Sequence, residues 1–189
     1  KKFRHVKANE LIATDHPYIF TYDSHKDAQN IPDWIIKWLK EKFLLNINPV
    51  NKNFPKKIFI DRTDPKSNSS KVRSIINESE IKDFLLEENF TLVRLHDLPF
   101  MDQVHYFNNA DCVIGLHGGG FANLSFCRPG TKVIEFRMEK TGIVIENLAK
   151  KNNLNFNSII LKLEDPKYDK QSGHIKIPLS TLKEKIGNA

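Results

Sequence analysis

Apolar positions along this chain come in short blocks whose spacing changes from helical to strand-like and back. Across residues 32–45 they recur at helical spacing, with Trp34, Ile35, Trp38, Leu39 and Phe43 on one face. Pro32 falls in the first turn, where its missing N–H is harmless. The two tryptophans share that face with plain aliphatics and read as packing residues. Upstream, residues 1–30 keep no sustained period and read as an irregular lead-in with one strand over residues 18–22. A polar, proline-bounded linker over residues 46–55 then puts the start of the main domain near Lys56.

From there strands and helices alternate. Ile58, Phe59 and Ile60 form a compact strand that ends in Asp61 and Arg62, and a polar loop over residues 63–73 follows. Asn77 to Glu80 has the spacing of a capping box that opens a helix burying Ile81, Phe84 and Leu85. Residues 91–95 read as a strand, and Phe100, Val104 and Phe107 mark one face of the next helix. A strand at residues 112–116, a glycine turn, a short helix, a Pro129-Gly130 break and a strand at residues 132–136 come next. A helix with Ile145, Leu148 and Ala149 inward precedes a strand at residues 158–163. The tail over residues 164–173 is polar, and a helix near residues 181–186 closes the chain. Five short apolar strands separated by helices of about ten residues predict an α/β fold, a Rossmann-like doubly wound parallel sheet. The expected division is a lead-in and connecting helix over residues 1–55 and one Rossmann-like domain over residues 56–189.

Composition narrows the classes. With 189 residues the chain has enough length for one well-buried core. The net charge of +6 suits anionic ligands, nucleic acid or a membrane surface alike. The basic residues are scattered, so a dedicated nucleic-acid stripe is not expected. No apolar run reaches the length of a membrane-spanning helix. Cys112 and Cys127 sit in apolar surroundings and read as buried free thiols of a reducing compartment. The expected location is therefore the cytoplasm, including the inner face of the membrane. Sequons at Asn68, Asn77, Asn89 and Asn123 are read as accidental, because one falls inside the glycine turn. His5, His16 and His25 lack the spacing of a zinc site and read as surface residues. The absence of an initiator Met suggests a piece of a longer protein.

Ligands of parallel sheets bind beyond the carboxyl ends of the strands. Three such ends carry the most suggestive residues: Arg62, then His117 with Gly118, Gly119 and Gly120, then Glu135. Glycines at a strand-to-helix turn let backbone N–H groups converge on an anion, and a helix dipole favours negative charge there. Asn123 stands where the dinucleotide fingerprint has its third glycine, and no Gly-Lys-Ser/Thr follows, which excludes a Walker loop. The run His117 to Gly120 also resembles the oxyanion loop of esterases, but the chain has no Gly-x-Ser-x-Gly elbow. His117 either meets a phosphate or sugar oxygen or holds the turn by bonding backbone. Glu135 either accepts ribose hydroxyls or pairs on the surface with Lys132 or Arg137. Arg62 and Arg73 offer the fork that suits phosphate, against the reading of ordinary solvated charges. Gln103 sits mid-helix and is unremarkable by itself. No Asp-x-Asp pair stands ready for a divalent cation.

These pieces, in order, are Lys57 to Arg62, Arg73, Ile76-Asn77-Glu78, Phe90, Leu98 to Gln103, Asn109-Ala110-Asp111, Ile114 to Asn123, Phe126, Pro129-Gly130 and Val133-Ile134-Glu135. Together they resemble the carboxyl-terminal half of the family-61 glycosyltransferases, often labelled capsular polysaccharide biosynthesis proteins in bacteria. Where the family more often has Ala and Leu, this chain has Gly119 and Phe121, and its loop before Arg73 is longer and more polar. The resemblance implies the donor-binding domain of a GT-B-type, inverting, metal-independent glycosyltransferase that takes a nucleotide sugar as co-substrate and no cofactor. It implies a glycan acceptor held mostly by an amino-terminal domain of the same protein, no nucleic-acid partner, and little activity for this portion alone. On that reading His117 and Arg62 serve the chemistry. Gly118, Gly119, Gly120, Arg73, Asn77, Glu78, Gln103, Asn123 and Glu135 bind the substrate, with Glu135 on the ribose. The rival from another class is a non-catalytic nucleotide- or phosphate-binding module.

Overall fold

In chain order the elements are α1 (Asp33–Leu44), β1 (Lys57–Ile60), β2 (Arg73–Ile75), α2 (Glu78–Glu87), β3 (Thr91–Val93), a single 3-10 turn (Leu95–Asp97), α3 (Phe100–Asn109), β4 (Cys112–Leu116), a 3-10 helix (Gly119–Phe126), β5 (Lys132–Met138), α4 (Val144–Lys151), β6 (Asn155–Leu161), β7 (Gly173–Ile175) and α5 (Leu179–Gly187). They belong to a computed structural model that describes residues 10, 31–44, 53–63, 73–164 and 173–187. The strand expected over residues 18–22 and the histidines at 5, 16 and 25 lie outside the described residues.

Five strands form a parallel sheet in the order β3-β1-β4-β5-β6, and β2 pairs with β7 in a separate parallel ribbon. The five central strands therefore run 2-1-3-4-5 in chain order. The chain leaves β1 toward one edge, through β3, and returns on the other side of β1 as β4. The loops after β1 and β4 part in opposite directions, which opens a crevice at their carboxyl ends. Arg62 follows β1 and His117 follows β4.

Strand periodicity sorts the core into two layers. Ile58, Ile60, Val113 and Val133 face one side, with Ile36 of α1, Val104 and Phe107 of α3, Phe121 and Leu124 of the 3-10 helix and Ile145 and Leu148 of α4. Phe59, Ile114, Ile134, Phe136 and Met138 face the other, with Ile81, Phe84 and Leu85 of α2 and Leu182 of α5. Helices thus cover both faces, as a parallel sheet requires. Cys112 and Cys127 are buried free thiols, and burial pushes their pKa values up to about 11 and about 12.

Several expectations are corrected. α1 buries Ile36 and leans on the core through Leu39 and Phe43, while Trp34 and Trp38 are 54% and 47% exposed. The helix is rotated so that its smaller side chains enter the space beside the 3-10 helix, and the tryptophans are not packing residues. The short helix expected after the glycine turn is present, and it is of the 3-10 type. Asn77 makes no capping bond; its amide pairs with the backbone N–H and C=O of Ile177, each at 2.9 Å. β2 and β7 begin at the last residues of the polar stretches read as loop and tail, and neither strand was expected, because three-residue strands are too short to show a period. The last central strand begins at Asn155, three residues before its expected start.

Candidate functional site

The switch point of the sheet gathers the charged ends of three strands. Alternation along β5 sends Ile134, Phe136 and Met138 into one core layer and turns Glu135 and Arg137 to the opposite face, toward α4. On β4 the same face carries Gly115 and, just beyond the strand, His117. The backbone N–H of His117 donates to the carbonyl of Phe136 at 2.8 Å, which extends the β4–β5 ladder by one residue. This register sets the His117 ring against Glu135, and Nδ1 of His117 is hydrogen-bonded to Oε1 of Glu135. Glu135 is 0% exposed. Its ion pair with Arg137, at 4.0 Å, is buried and not on the surface, and neither oxygen is open to a ribose.

The carbonyl of His117 is the second focus. Arg62 Nη1 donates to it at 3.0 Å, and Arg73 Nη1 donates to the same oxygen. Arg73 is buried and not a solvated charge, because β2 carries it in beside β7. Burial, and then the neighbouring Arg62 guanidinium, lower its pKa to about 10, and burial lowers that of Arg62 as well. Arg73 still stays cationic at neutral pH. Two guanidiniums on one carbonyl repel each other and raise the positive potential of the space they face.

The glycines serve three different needs. A Cβ on Gly118 would stand 3.3 Å from the Arg62 guanidinium, and one on Gly120 would stand 3.0 Å from Leu95 and 3.1 Å from Ile60. A Cβ on Gly119 would meet nothing within 4 Å. Gly118 lets Arg62 approach, Gly120 lets the turn sink into the core, and Gly119 leaves space open. The first bond of the 3-10 turn runs from Phe121 N–H to Gly118 O at 3.1 Å, so the Gly119 and Gly120 N–H groups lie ahead of it. Over this turn opens a cleft of about 500 Å³ lined by Arg62, Arg73, His117, Gly118 and Gly119, with Ile31, Phe121, Val144, Ile145 and Leu148 as its apolar wall. That is room for a small organic molecule with an anionic group. A second recess of about 180 Å³ lies across Arg62, against Leu95, His96 and Gly120.

The remaining expected residues stand behind the site. Gln103 donates to the carbonyls of Leu95 and Leu98 at 2.9 and 3.1 Å, and Asn123 donates to Gln103 Oε1 at 3.2 Å. They lock the segment after β3 to the 3-10 helix. Asn77 is engaged with Ile177, away from the cleft. Glu78 pairs with Lys82 at 3.1 Å and lines a small hollow behind Arg62 and Arg73. Asn152, which the sequence reading passed over, is buried and donates to the carbonyls of Leu124 and Cys127 at 2.7 and 3.2 Å. It anchors the far end of the same 3-10 helix, and only its place after an amphipathic helix hinted at a cap. Val144, Ile145 and Leu148 carry ordinary core spacing, so nothing in the sequence marked them as a cleft wall. Among the described residues, no cluster of three His, Cys, Asp or Glu side chains is placed to hold a metal ion. Nor is any described helix long and apolar enough to cross a membrane.

Comparison with curated proteins returned no match. The sequence profile described as Glycosyltransferase 61 matches residues 7–134, a span that takes in β1, Arg62, Arg73, β4 and the whole glycine turn. More than half of the chain is matched, and the sheet is the Rossmann-like one that the resemblance implied: the chain belongs to glycosyltransferase family 61.

Proposed function

We propose that this chain is the donor-binding part of an inverting, metal-independent glycosyltransferase that takes a nucleotide sugar and extends a capsular or other surface glycan in bacteria. The observation that carries this reading is the meeting of Arg62 and Arg73 on the His117 carbonyl, in an apolar-walled cleft that Gly118 and Gly119 also line. Guanidinium forks and leading N–H groups are the donors a diphosphate accepts.

In the proposed reaction an acceptor hydroxyl oxygen attacks the anomeric carbon from the face opposite the diphosphate. The new C–O bond forms as the sugar–phosphate bond breaks, and the electron pair leaves with the diphosphate. Negative charge grows there, where fixed donors act most strongly. Arg62 and His117 take that role, with Arg73 and the glycine N–H groups. The acceptor and the base that removes its proton belong to a second, amino-terminal domain, so the portion described binds donor without transferring sugar. The cytoplasm supplies nucleotide sugars and is the proposed location.

A thermal-shift panel with UDP, GDP, CDP and ADP is the test. A true ligand at a hundred times its dissociation constant adds about 2.7 kcal/mol, an upward shift of roughly 5–10 °C. No shift with any member of the panel would overturn the reading.

A further inference from the structure

A fully buried carboxylate is costly unless it is paired. Glu135 is in that position, and its two oxygens differ. Oε1 is bonded to His117 Nδ1, while Oε2 makes no hydrogen bond and lies 4.0 Å from Nη1 of Arg137. Arg137 in turn reaches Glu146 of α4 at 3.5 Å. An amide or a carbonyl would fix the tautomer of His117 with less desolvation. What a carboxylate adds is stabilisation of positive charge on the ring.

Resting on the diphosphate reading above, we infer that Glu135 is a positioning residue that holds His117 as an imidazolium once a diphosphate is bound, so that the ligand arrives with one proton. Nδ1–H donates to Glu135, which leaves Nε2 as the ring nitrogen available to the cleft that His117 lines. Before a diphosphate binds, three guanidiniums surround the His117–Glu135 pair: Arg62 and Arg73 on the His117 carbonyl, and Arg137 beside Glu135 and shared with Glu146 of α4. That balance leaves positive charge in excess around the ring. A nucleotide sugar brings the negative charges of its diphosphate diester and reverses it. Nε2 then takes a proton from solvent and donates it as a hydrogen bond to a phosphate oxygen. No covalent bond to the protein forms, and the proton returns to solvent when the diphosphate departs.

Calorimetric titration of the full chain with UDP-glucose, GDP-mannose, CDP-glucose and ADP-glucose tests this, since these diesters do not change ionisation across the neutral range. Repeating the titration in buffers of different ionisation enthalpy counts the protons. The expected result is uptake of about one proton per ligand, with affinity weakening up to about tenfold per pH unit on the alkaline side. Glu135→Gln keeps an acceptor for Nδ1–H but removes the charge, and should bind more weakly with the proton uptake gone. Glu135→Asp, which keeps the charge, should retain the uptake. An unchanged proton count in a folded Glu135→Gln variant would reduce Glu135 to a structural part and overturn the inference. If Glu135→Gln does not fold, His117→Gln provides the same readout, and proton uptake persisting there would overturn it equally. Binding to the wild-type chain without proton uptake defeats this inference alone. Binding of none of the four ligands defeats the diphosphate reading along with it.

Discussion

Arg62 and Gly119 separate what the cleft holds from what the fold needs. Arg62 donates to the His117 carbonyl from beyond the end of β1, and its side chain is only partly buried. Arg62→Ala should weaken nucleotide-diphosphate affinity roughly ten- to a hundredfold, the range expected for a lost charge-assisted hydrogen bond of about 1.5–3 kcal/mol. Its melting temperature should stay near that of the wild type. At Gly119 a new side chain would enter open space, so Gly119→Val should fold normally and block binding. Gly120 differs, since even a methyl group there would press on Leu95 at 3.0 Å and Ile60 at 3.1 Å. Gly120→Ala should lose about 1–3 kcal/mol of stability through overpacking. Thermal denaturation and calorimetric titration of the three variants distinguish these outcomes. A Gly119→Val variant with wild-type affinity would remove the glycine turn from the binding site.

The β2–β7 ribbon is a small element with a large consequence, because it brings Arg73 to the cleft. Three residues pair in each strand, and Ile75, Ile175 and Ile177 anchor the ribbon in the core layer on that side of the sheet. Ser74 Oγ meets His174 Nδ1 at 2.8 Å, and the Asn77 amide closes on Ile177 just past β7. Asn77→Ala leaves the N–H and C=O of Ile177 without those partners. It should cost about 1–3 kcal/mol, or roughly 2–4 °C in melting temperature per kcal/mol, and weaken nucleotide affinity by loosening Arg73. Loss of stability with affinity intact would show that Arg73 is held without the ribbon. This element is also where the sequence was least legible. The five central strands announce themselves as apolar runs between helices, so the sheet, and the gathering of Arg62, His117 and Glu135 at its carboxyl ends, could be read from spacing. A three-residue strand such as Arg73–Ile75 has no period to read, and its partner lies a hundred residues away in a polar tail. The rotation of α1 is hidden for another reason: Trp34 and Ile36 are both apolar, and only the neighbouring surface decides which one goes inside. Glu135 was visible as a residue, but its pairing with His117 depends on strand register, which spacing alone does not supply.

Over the whole molecule positive charge prevails, at +6, and the carboxylates that pair with it carry a share of the stability that acid should remove. Asp61 ends β1 and is 9% exposed. Burial opposes its ionisation, but the hydroxyl and N–H of Thr63 and the ammonium of Lys82 outweigh that and leave its pKa below the usual carboxylate range. Glu146 is lowered too, first by its hydrogen bond from Lys150 and then, against some burial, by the charges of Lys150 and Arg137. A carboxylate whose folded pKa lies below its unfolded value stabilises the fold at pH above the unfolded value, about 3.9 for Asp and about 4.3 for Glu. That contribution is lost as pH falls through the lower, folded value. Each protonation also adds to a positive charge already in excess, and self-repulsion acts in the same direction. Denaturant titrations in steps downward from about pH 5 should therefore show stability falling as the pH drops through and below the usual carboxylate range. Asp61→Asn should start lower and fall less steeply, because one of the groups that binds a proton on acid unfolding is gone. An equal slope in the two proteins would mean that the Lys82 and Thr63 contacts to Asp61 contribute nothing to folding stability.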